Sequence, residues 1–331
     1  MTAAARLAGW LRARWGASPA ARTERAGHTL RERRPPPGLQ PTVEWQVLGR
    51  CNYDCSYCIQ SRASRRGVPS RQRVERIVAG LAGLTGVWEI KISGGEPLAW
   101  RGLVQWVVPQ LVRSTRHNIS ILTNLSASLA TLERFCRLTN ERLRTTSASL
   151  HPEFTSLERF VARAGAYREL CARHNPHASL VINAVLVPGR LEQHQPIRDR
   201  LAREGLSYFP QLMKIRGGIY PYSPREWRAI EELIGGSRDP RRVNLAPSYQ
   251  GRHCEAGVWY FVLDRHGEAY SCRTAKRFVE EDDRGRLGSL VDGSFALRAA
   301  GEACRFSICP CTVPANRGIV RPPAVEVRGG S

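Results

Sequence analysis

The chain has 331 residues, 42% of them apolar, which suffices for about two domains and the core of an ordinary globular protein. Fifty basic residues against 29 acidic ones give a net charge of +21, a balance that favours anionic partners such as phosphates, nucleic acid or a membrane surface. No apolar run approaches the roughly 18 residues that cross a bilayer, no signal-type apolar core opens the chain, and ten cysteines in so long a chain do not read as a secreted disulfide scaffold, so a reducing cytoplasm is expected.

Residues 1–41 read as a basic, flexible N-terminal extension that closes on Arg33-Arg34-Pro35-Pro36-Pro37-Gly38. Within it Leu7, Trp10, Leu11 and Trp15 recur at helical spacing between arginines, the pattern of a short amphipathic helix or simply of a solvated tail. From Thr42 onward, strand-like segments near 42–49, 87–93, 118–123, 144–150, 179–187 and 206–213 alternate with helix-like segments near 71–84, 102–115, 129–139, 155–174, 191–204 and 224–235. Such alternation predicts an α/β fold, a partial (β/α)6 TIM-type barrel of parallel strands over 42–235, with its chemistry at the carboxyl ends of the strands. Residues 236–318 read as a small, irregular, cysteine-rich domain and 319–331 as a tail. Of the basic residues only Lys91, Lys214 and Lys276 are lysine, an imbalance that reflects coding bias as well as function.

Cys51, Cys55 and Cys58 follow the first strand in C-x3-C-x2-C spacing, which can hold three irons of a cubane cluster as thiolates and leave the fourth iron open. Short cysteine spacings also suit zinc, the alternative reading. Thirty-five residues on, Ser93-Gly94-Gly95-Glu96-Pro97 ends the second strand, where lack of a Cβ permits close backbone approach and positive φ.

Together these motifs resemble the radical S-adenosylmethionine (SAM) superfamily. The resemblance implies a 4Fe-4S cluster on Cys51, Cys55 and Cys58 as the catalytic centre, with SAM chelating the open iron and being split to a 5'-deoxyadenosyl radical. It implies that Tyr57 lies beside the adenine, that Gly94 and Gly95 hold the SAM amino group, and that Glu96 contributes from its backbone or carboxylate. Asn124 and Ser149 would hold the ribose and carboxylate, and the strand from Val181 to Val187 would run along the adenine. The chain departs from the family where relatives read Thr-Asn-Gly and Ser-x-Asp-Gly, having Thr123-Asn124-Leu125 and Ser149-Leu150-His151-Pro152. That makes His151 with Glu153 a candidate substrate-side pair. Arg62, Arg65, Arg66, Arg71 and Arg73 crowd the segment after the cysteines, either as anion-binding groups at the mouth or as a solvated run.

Cys254, Cys272, Cys304, Cys309 and Cys311 form a second group, and the run from Cys254 through Gly267 to Cys272 resembles the hairpin of twitch or SPASM auxiliary-cluster regions. Five cysteines here match one auxiliary 4Fe-4S cluster with a thiol to spare, or a zinc site. Cys254, Cys272 and two of the last three are the expected ligands. Cys136 and Cys171 fall in helical patterns and read as buried small apolar residues.

The expected function is that of a radical SAM oxidoreductase or epimerase that takes hydrogen from an unactivated carbon of a small polar metabolite or a peptide, anionic in character, with flavodoxin or ferredoxin as electron donor. An RNA-modifying radical enzyme and a non-enzymatic iron-sulfur electron carrier are the competing readings; nucleic acid is not the favoured partner because no aromatic-interleaved basic motif is present.

Overall fold

The computed structural model describes residues 34–215 and 218–320, so the pattern around Leu7, Trp10, Leu11 and Trp15 lies outside the described residues. Strands and helices alternate as β1 (Thr42–Leu48), α1 (Arg71–Ala82), β2 (Glu89–Gly94), α2 (Val108–Ser114), β3 (Asn118–Thr123), α3 (Leu129–Thr139), β4 (Leu143–Ser149), α4 (Leu157–His174), β5 (Ser179–Leu186), α5 (His194–Arg203) and β6 (Ser207–Leu212). A two-stranded ribbon, β7 (Lys214–Ile215) with β8 (Gly218–Ile219), leads to α6 (Pro224–Ile234). β1 to β6 pair in sequential order, all parallel, which is the expected partial barrel.

α1, α3, α4 and α6 begin where a serine can accept from a free backbone N–H, at Ser70, Ser128, Ser156 and Ser223. The helix expected over 102–115 is divided into a π-helical turn, Leu103–Val107, and α2. Pro109 has no N–H to give to the preceding turn, which accounts for the wider winding there.

Alternation along each strand sorts the two faces. Val43, Trp45, Val47, Ile90, Ile92, Ile119 and Ile121 are buried in the core under the helices. The opposite face is polar: register sets Glu44 beside Lys91, Lys91 beside Ser120, and Ser120 beside Thr145. A polar lumen is thus written into the odd-even pattern of β1 to β4.

The C-terminal residues add to the same sheet. After β9 (His253–Cys254), β10 (Tyr260–Leu263) runs parallel along the free edge of β1, and β11 (Glu268–Tyr270) and β12 (Arg286–Ser289) continue antiparallel to give nine strands. The hairpin expected between Val258 and Cys272 is present, its turn closed by Asp264, whose Oδ1 accepts from the amides of His266 and Glu268, and by Gly267 at φ +96°. Trp88 packs on Trp259 and Phe261 at 6.1 and 5.9 Å between ring centroids, so both parts of the chain share one core. α7 (Arg273–Arg277) reaches the inner face of β1, β13 (Glu302–Ala303) pairs with β9, and α8 (Val313–Asn316) completes the described chain.

Candidate active site

The loop carrying Cys51, Cys55 and Cys58 leaves β1 at the carboxyl end of the sheet and is seated on the glycine turn after β2. Gly95 donates to the Leu48 carbonyl at 3.0 Å and Glu96 to that of Arg50 at 3.0 Å. A Cβ on Gly95 would sit 1.9 Å from the Arg50 oxygen, and one on Gly94, at φ +131°, would sit 2.2 Å from that of Leu48. Backbone meeting backbone thus requires glycine at both positions, alongside the close approach to a ligand expected from sequence.

Glu96 is buried, and its carboxylate accepts from Thr123 Oγ1 at 2.7 Å, the Asn124 amide at 2.5 Å and the Leu98 amide at 3.0 Å. Burial pushes it up to about 7 against the pull of those donors. The carboxylate thus ties the end of β2 to the end of β3. The Asn124 side chain bonds Asn52 of the cysteine loop at 3.1 Å and the Ser126 amide at 3.0 Å. Leu125, where relatives carry glycine, stands at φ +55° with its side chain buried, and Arg163 grips its carbonyl at 2.5 Å.

From the other side the segment after β4 clamps the loop. Glu153 accepts from the Ser56 amide at 2.9 Å and Ser56 Oγ at 2.5 Å and meets Arg190 at 3.3 Å. His151 Nδ1 lies 2.9 Å from Tyr57 Oη and 3.4 Å from Cys55 Sγ, and Tyr53 stacks on Phe154 at 4.6 Å. Burial pulls His151 down to about 4, opposed by Glu153, so the ring is neutral at pH 7. The candidate substrate-side pair thus holds the cysteine loop. Ser149 bonds Asn183 of β5 at 2.9 Å, and half-buried Val187 follows the end of that strand.

Burial raises the thiol of Cys51, and lifts that of Cys55 to about 12 with help from Cys58 and Cys51 close by. Thiols so disposed ionise against a strong cationic body, as cluster iron provides. Among the described residues no three His, Cys, Asp or Glu side chains converge as a single ion requires. Three cysteine sulfurs on one loop, with Cys58 and Cys51 near Cys55, are the donor type that cluster iron takes.

Of the arginines after the loop, Arg65 is held by Asp54 and by the Gln60 carbonyl, and Arg71 pairs with Glu75 four residues on. They are parts of the loop and of α1.

The second thiol group occupies the opposite end of the barrel. Cys254 precedes β10, and Cys272 follows β11 by antiparallel register level with Tyr260, itself the partner of Thr42 at the amino end of β1. Roughly six strand residues at about 3.3 Å each separate that level from the cysteine loop, or about 20 Å. Cys254, Cys272 and Cys304 line one small cavity with Arg305 and Phe306. Burial lifts Cys254 to about 12 and Cys272 to about 11, and it raises Cys309 well above its ordinary value, with Cys311, Cys272 and Cys254 near it. Cys311 faces the lumen, its Sγ 3.7 Å from Glu44 Oε2. Cys136 and Cys171 are buried against each other, sulfur to sulfur at 3.8 Å.

Sequence reasoning did not find Glu44. It is fully buried, bonded by Arg273 at 2.6 and 3.0 Å and by Tyr260 Oη at 2.6 Å, and it borders a lumen cavity of about 330 Å³ with Lys91, Lys214 and Arg273. Its signal was a lone acid in an otherwise apolar strand, Thr42-Val43-Glu44-Trp45.

A parallel barrel with a three-cysteine loop on the glycine turn of its second strand defines the class. Residues 45–195 match the family profile described as Radical SAM superfamily, so the chain carries a radical SAM domain, whose family uses a 4Fe-4S cluster and SAM. The chain is 29% identical over 273 residues to the PqqA peptide cyclase of Rhodopseudomonas palustris, covering 74% of this chain and 70% of that protein. It is 33% identical over 150 residues to the GTP 3',8-cyclase of Paenarthrobacter nicotinovorans, spanning 43% of this chain and only 41% of that relative. Among solved structures, anSMEcpe with bound AdoMet superimposes with a TM-score of 0.55 at 14% identity, over 78% of this chain and 81% of that one. SuiB of Streptococcus suis bound to S-adenosylmethionine gives 0.54 at 16% identity, over 76% and 64%. At such identities the structural likeness concerns the fold. No helix of the described residues is long and apolar enough to cross a membrane.

Proposed function

We propose that the protein is a radical SAM enzyme that modifies an unactivated carbon of a peptide or small polar metabolite held in the barrel lumen. The observation that carries this reading is a three-cysteine loop seated at the carboxyl end of the parallel strands, above a polar lumen cavity that Cys311 of the second thiol group borders. When bound, a cluster on Cys51, Cys55 and Cys58 supplies the electron that splits SAM to a 5'-deoxyadenosyl radical, and an auxiliary cluster supplies an electron acceptor at the floor. In this reading Tyr57, Asn124, Ser149 and Val187, at the carboxyl end of the sheet, contact SAM, and Gly94, Gly95 and Glu96 hold its amino group as well as the loop that bears the cysteines. The peptide reading draws on the PqqA peptide cyclase relatives and on the likeness to anSMEcpe solved with a bound peptide.

Cys254, Cys272, Cys304 and Cys309 are the auxiliary ligands in this reading, because the first three line one cavity and Cys309 lies near Cys272 and Cys254, whereas Cys311 opens on the lumen. Net oxidation of the substrate is the primary outcome. The orientation of Cys311 favours a second: its S–H gives a hydrogen atom to the substrate radical from below, inverting the carbon, and the thiyl is restored by an electron from a flavodoxin or ferredoxin and a proton from solvent. Turnover in deuterium oxide separates the two. Deuterium at the inverted carbon of an isomeric product supports return of hydrogen by Cys311, and a product two mass units lighter than substrate supports oxidation. If anaerobic reconstitution gives only about four irons per chain rather than two clusters' worth, the auxiliary assignment is wrong.

A further inference from the structure

Two of the three lysines of this arginine-rich chain lie in the barrel lumen. Lys91 and Lys214 line the cavity, and Lys276 donates to Gln46 of β1. With arginine supplying nearly every other positive charge, lysine is kept where a compact, strongly hydrated point charge is wanted in place of a planar fork.

The lumen's charges do not balance among themselves. Glu44 is taken by Arg273 and Tyr260, Glu89 by Arg317 at 2.8 Å, and Asp239 by Arg241 at 2.9 Å. That pairs each arginine of the cavity with its own carboxylate. Among the described residues neither Lys91 nor Lys214 forms an ion pair or a hydrogen bond. Burial draws Lys214 down to about 8, which still leaves it charged at pH 7. Glu44, already held by Arg273, lies near both lysines, so one carboxylate faces three cations on this half-buried wall, and a bound anion offsets the excess positive charge.

We propose that Lys91 and Lys214 are the docking point for a carboxylate of the substrate at the floor of the barrel. This rests on the reading of the lumen as the substrate site and names the substrate's chemical class. Carboxylate is chosen over phosphate because the forks that suit a phosphate are occupied, while two ammonium groups suit one compact anion. Thr145 and Ser147 on the same face add hydroxyl groups. A side-chain or terminal carboxylate held here leaves the rest of the substrate to extend toward the mouth.

The test uses full-length protein reconstituted anaerobically with both clusters and SAM, titrated calorimetrically with glutarate and with its neutral isostere glutaramide. Glutarate should bind and glutaramide should not, and Lys91→Met and Lys214→Met should each weaken glutarate at least tenfold with iron content unchanged. Lys276→Met, whose ammonium is already engaged by Gln46, should change binding less than threefold. Equal binding of the two probes, or undiminished glutarate binding in both variants, overturns the proposal. So does loss of auxiliary iron in the variants, which would assign the lysines to balancing that cluster. Release of 5'-deoxyadenosine by wild type, followed in parallel, reports on the parent reading separately: its absence would sink the enzyme and leave the anion result standing by itself.

Discussion

The cysteine loop at the carboxyl end of the barrel and the thiol group at its amino end are held by different physics. The first is positioned by hydrogen bonds among strand-end loops: glycines that let two turns touch, the Glu96 carboxylate spanning two strand ends, and the Glu153 latch on Ser56. The second is assembled from segments far apart in sequence, on a sheet edge, beside the buried Glu44–Arg273 pair and the lumen lysines. The candidate SAM site is thus preorganised by hydrogen bonds between loops at one end of the sheet, whereas the second thiol group rests on the core and on charge. Preorganisation of this kind removes the cost of ordering the loop when its ligand arrives.

The comparison breaks most sharply with cysteine replacements. Cys55→Ala should abolish 5'-deoxyadenosine release and the loop cluster while leaving the auxiliary iron. Cys272→Ala should remove the auxiliary iron and leave SAM cleavage without substrate largely intact. Iron counting and nucleoside release check both, and loss of all iron in either variant would mean that the two groups are one folding unit.

A smaller effect is expected at Glu44. Burial on its own would raise this carboxyl, yet Arg273 outweighs it and holds the group down at about 2, against 4.5 ordinarily. An acid depressed in the folded state adds stability above its unfolded value and loses that share as pH falls through the folded one, here between about pH 5 and pH 2. Glu44→Gln, which also strands Arg273, should cost about 3 kcal/mol at pH 7. In anaerobic urea titrations the gap between variant and wild type should close as the pH drops. A gap that does not change with pH would show that Glu44 acts by packing and not by charge.

The least of the three concerns Leu125. A non-glycine residue in the left-handed region carries strain, which burial of the side chain offsets here, and a β-branched residue fits that region worse. Leu125→Val should therefore destabilise by about 1–2 kcal/mol, from backbone strain and a lost methylene together. A melting temperature unchanged from wild type would contradict this.

The strands, the helices and the cysteine loop could be read from the sequence because their causes are local. Spacing of apolar residues, serine caps and the run from Cys51 to Cys58 all act within a few residues. Even the departure at Leu125 was visible, though the positive φ it must adopt was not. The joining of β10 to β1 was out of reach, since it pairs residues more than two hundred positions apart. So was the partner of His151 and Glu153: a His near an acid after a strand does not reveal which loop folds over it. The lumen charges failed for a related reason. Glu44, Lys91, Lys214 and Arg273 come from four separate segments, and only the folded partial barrel sets them around one cavity.

The central claim is that the loop of Cys51, Cys55 and Cys58 grips SAM through a cluster and cleaves it. The direct test is to incubate anaerobically reconstituted, dithionite-reduced protein with SAM and quantify 5'-deoxyadenosine by mass-resolved chromatography. The account predicts its formation by wild type and none when the three cysteines are replaced by alanine; no nucleoside from wild type, or equal amounts from both proteins, would contradict it.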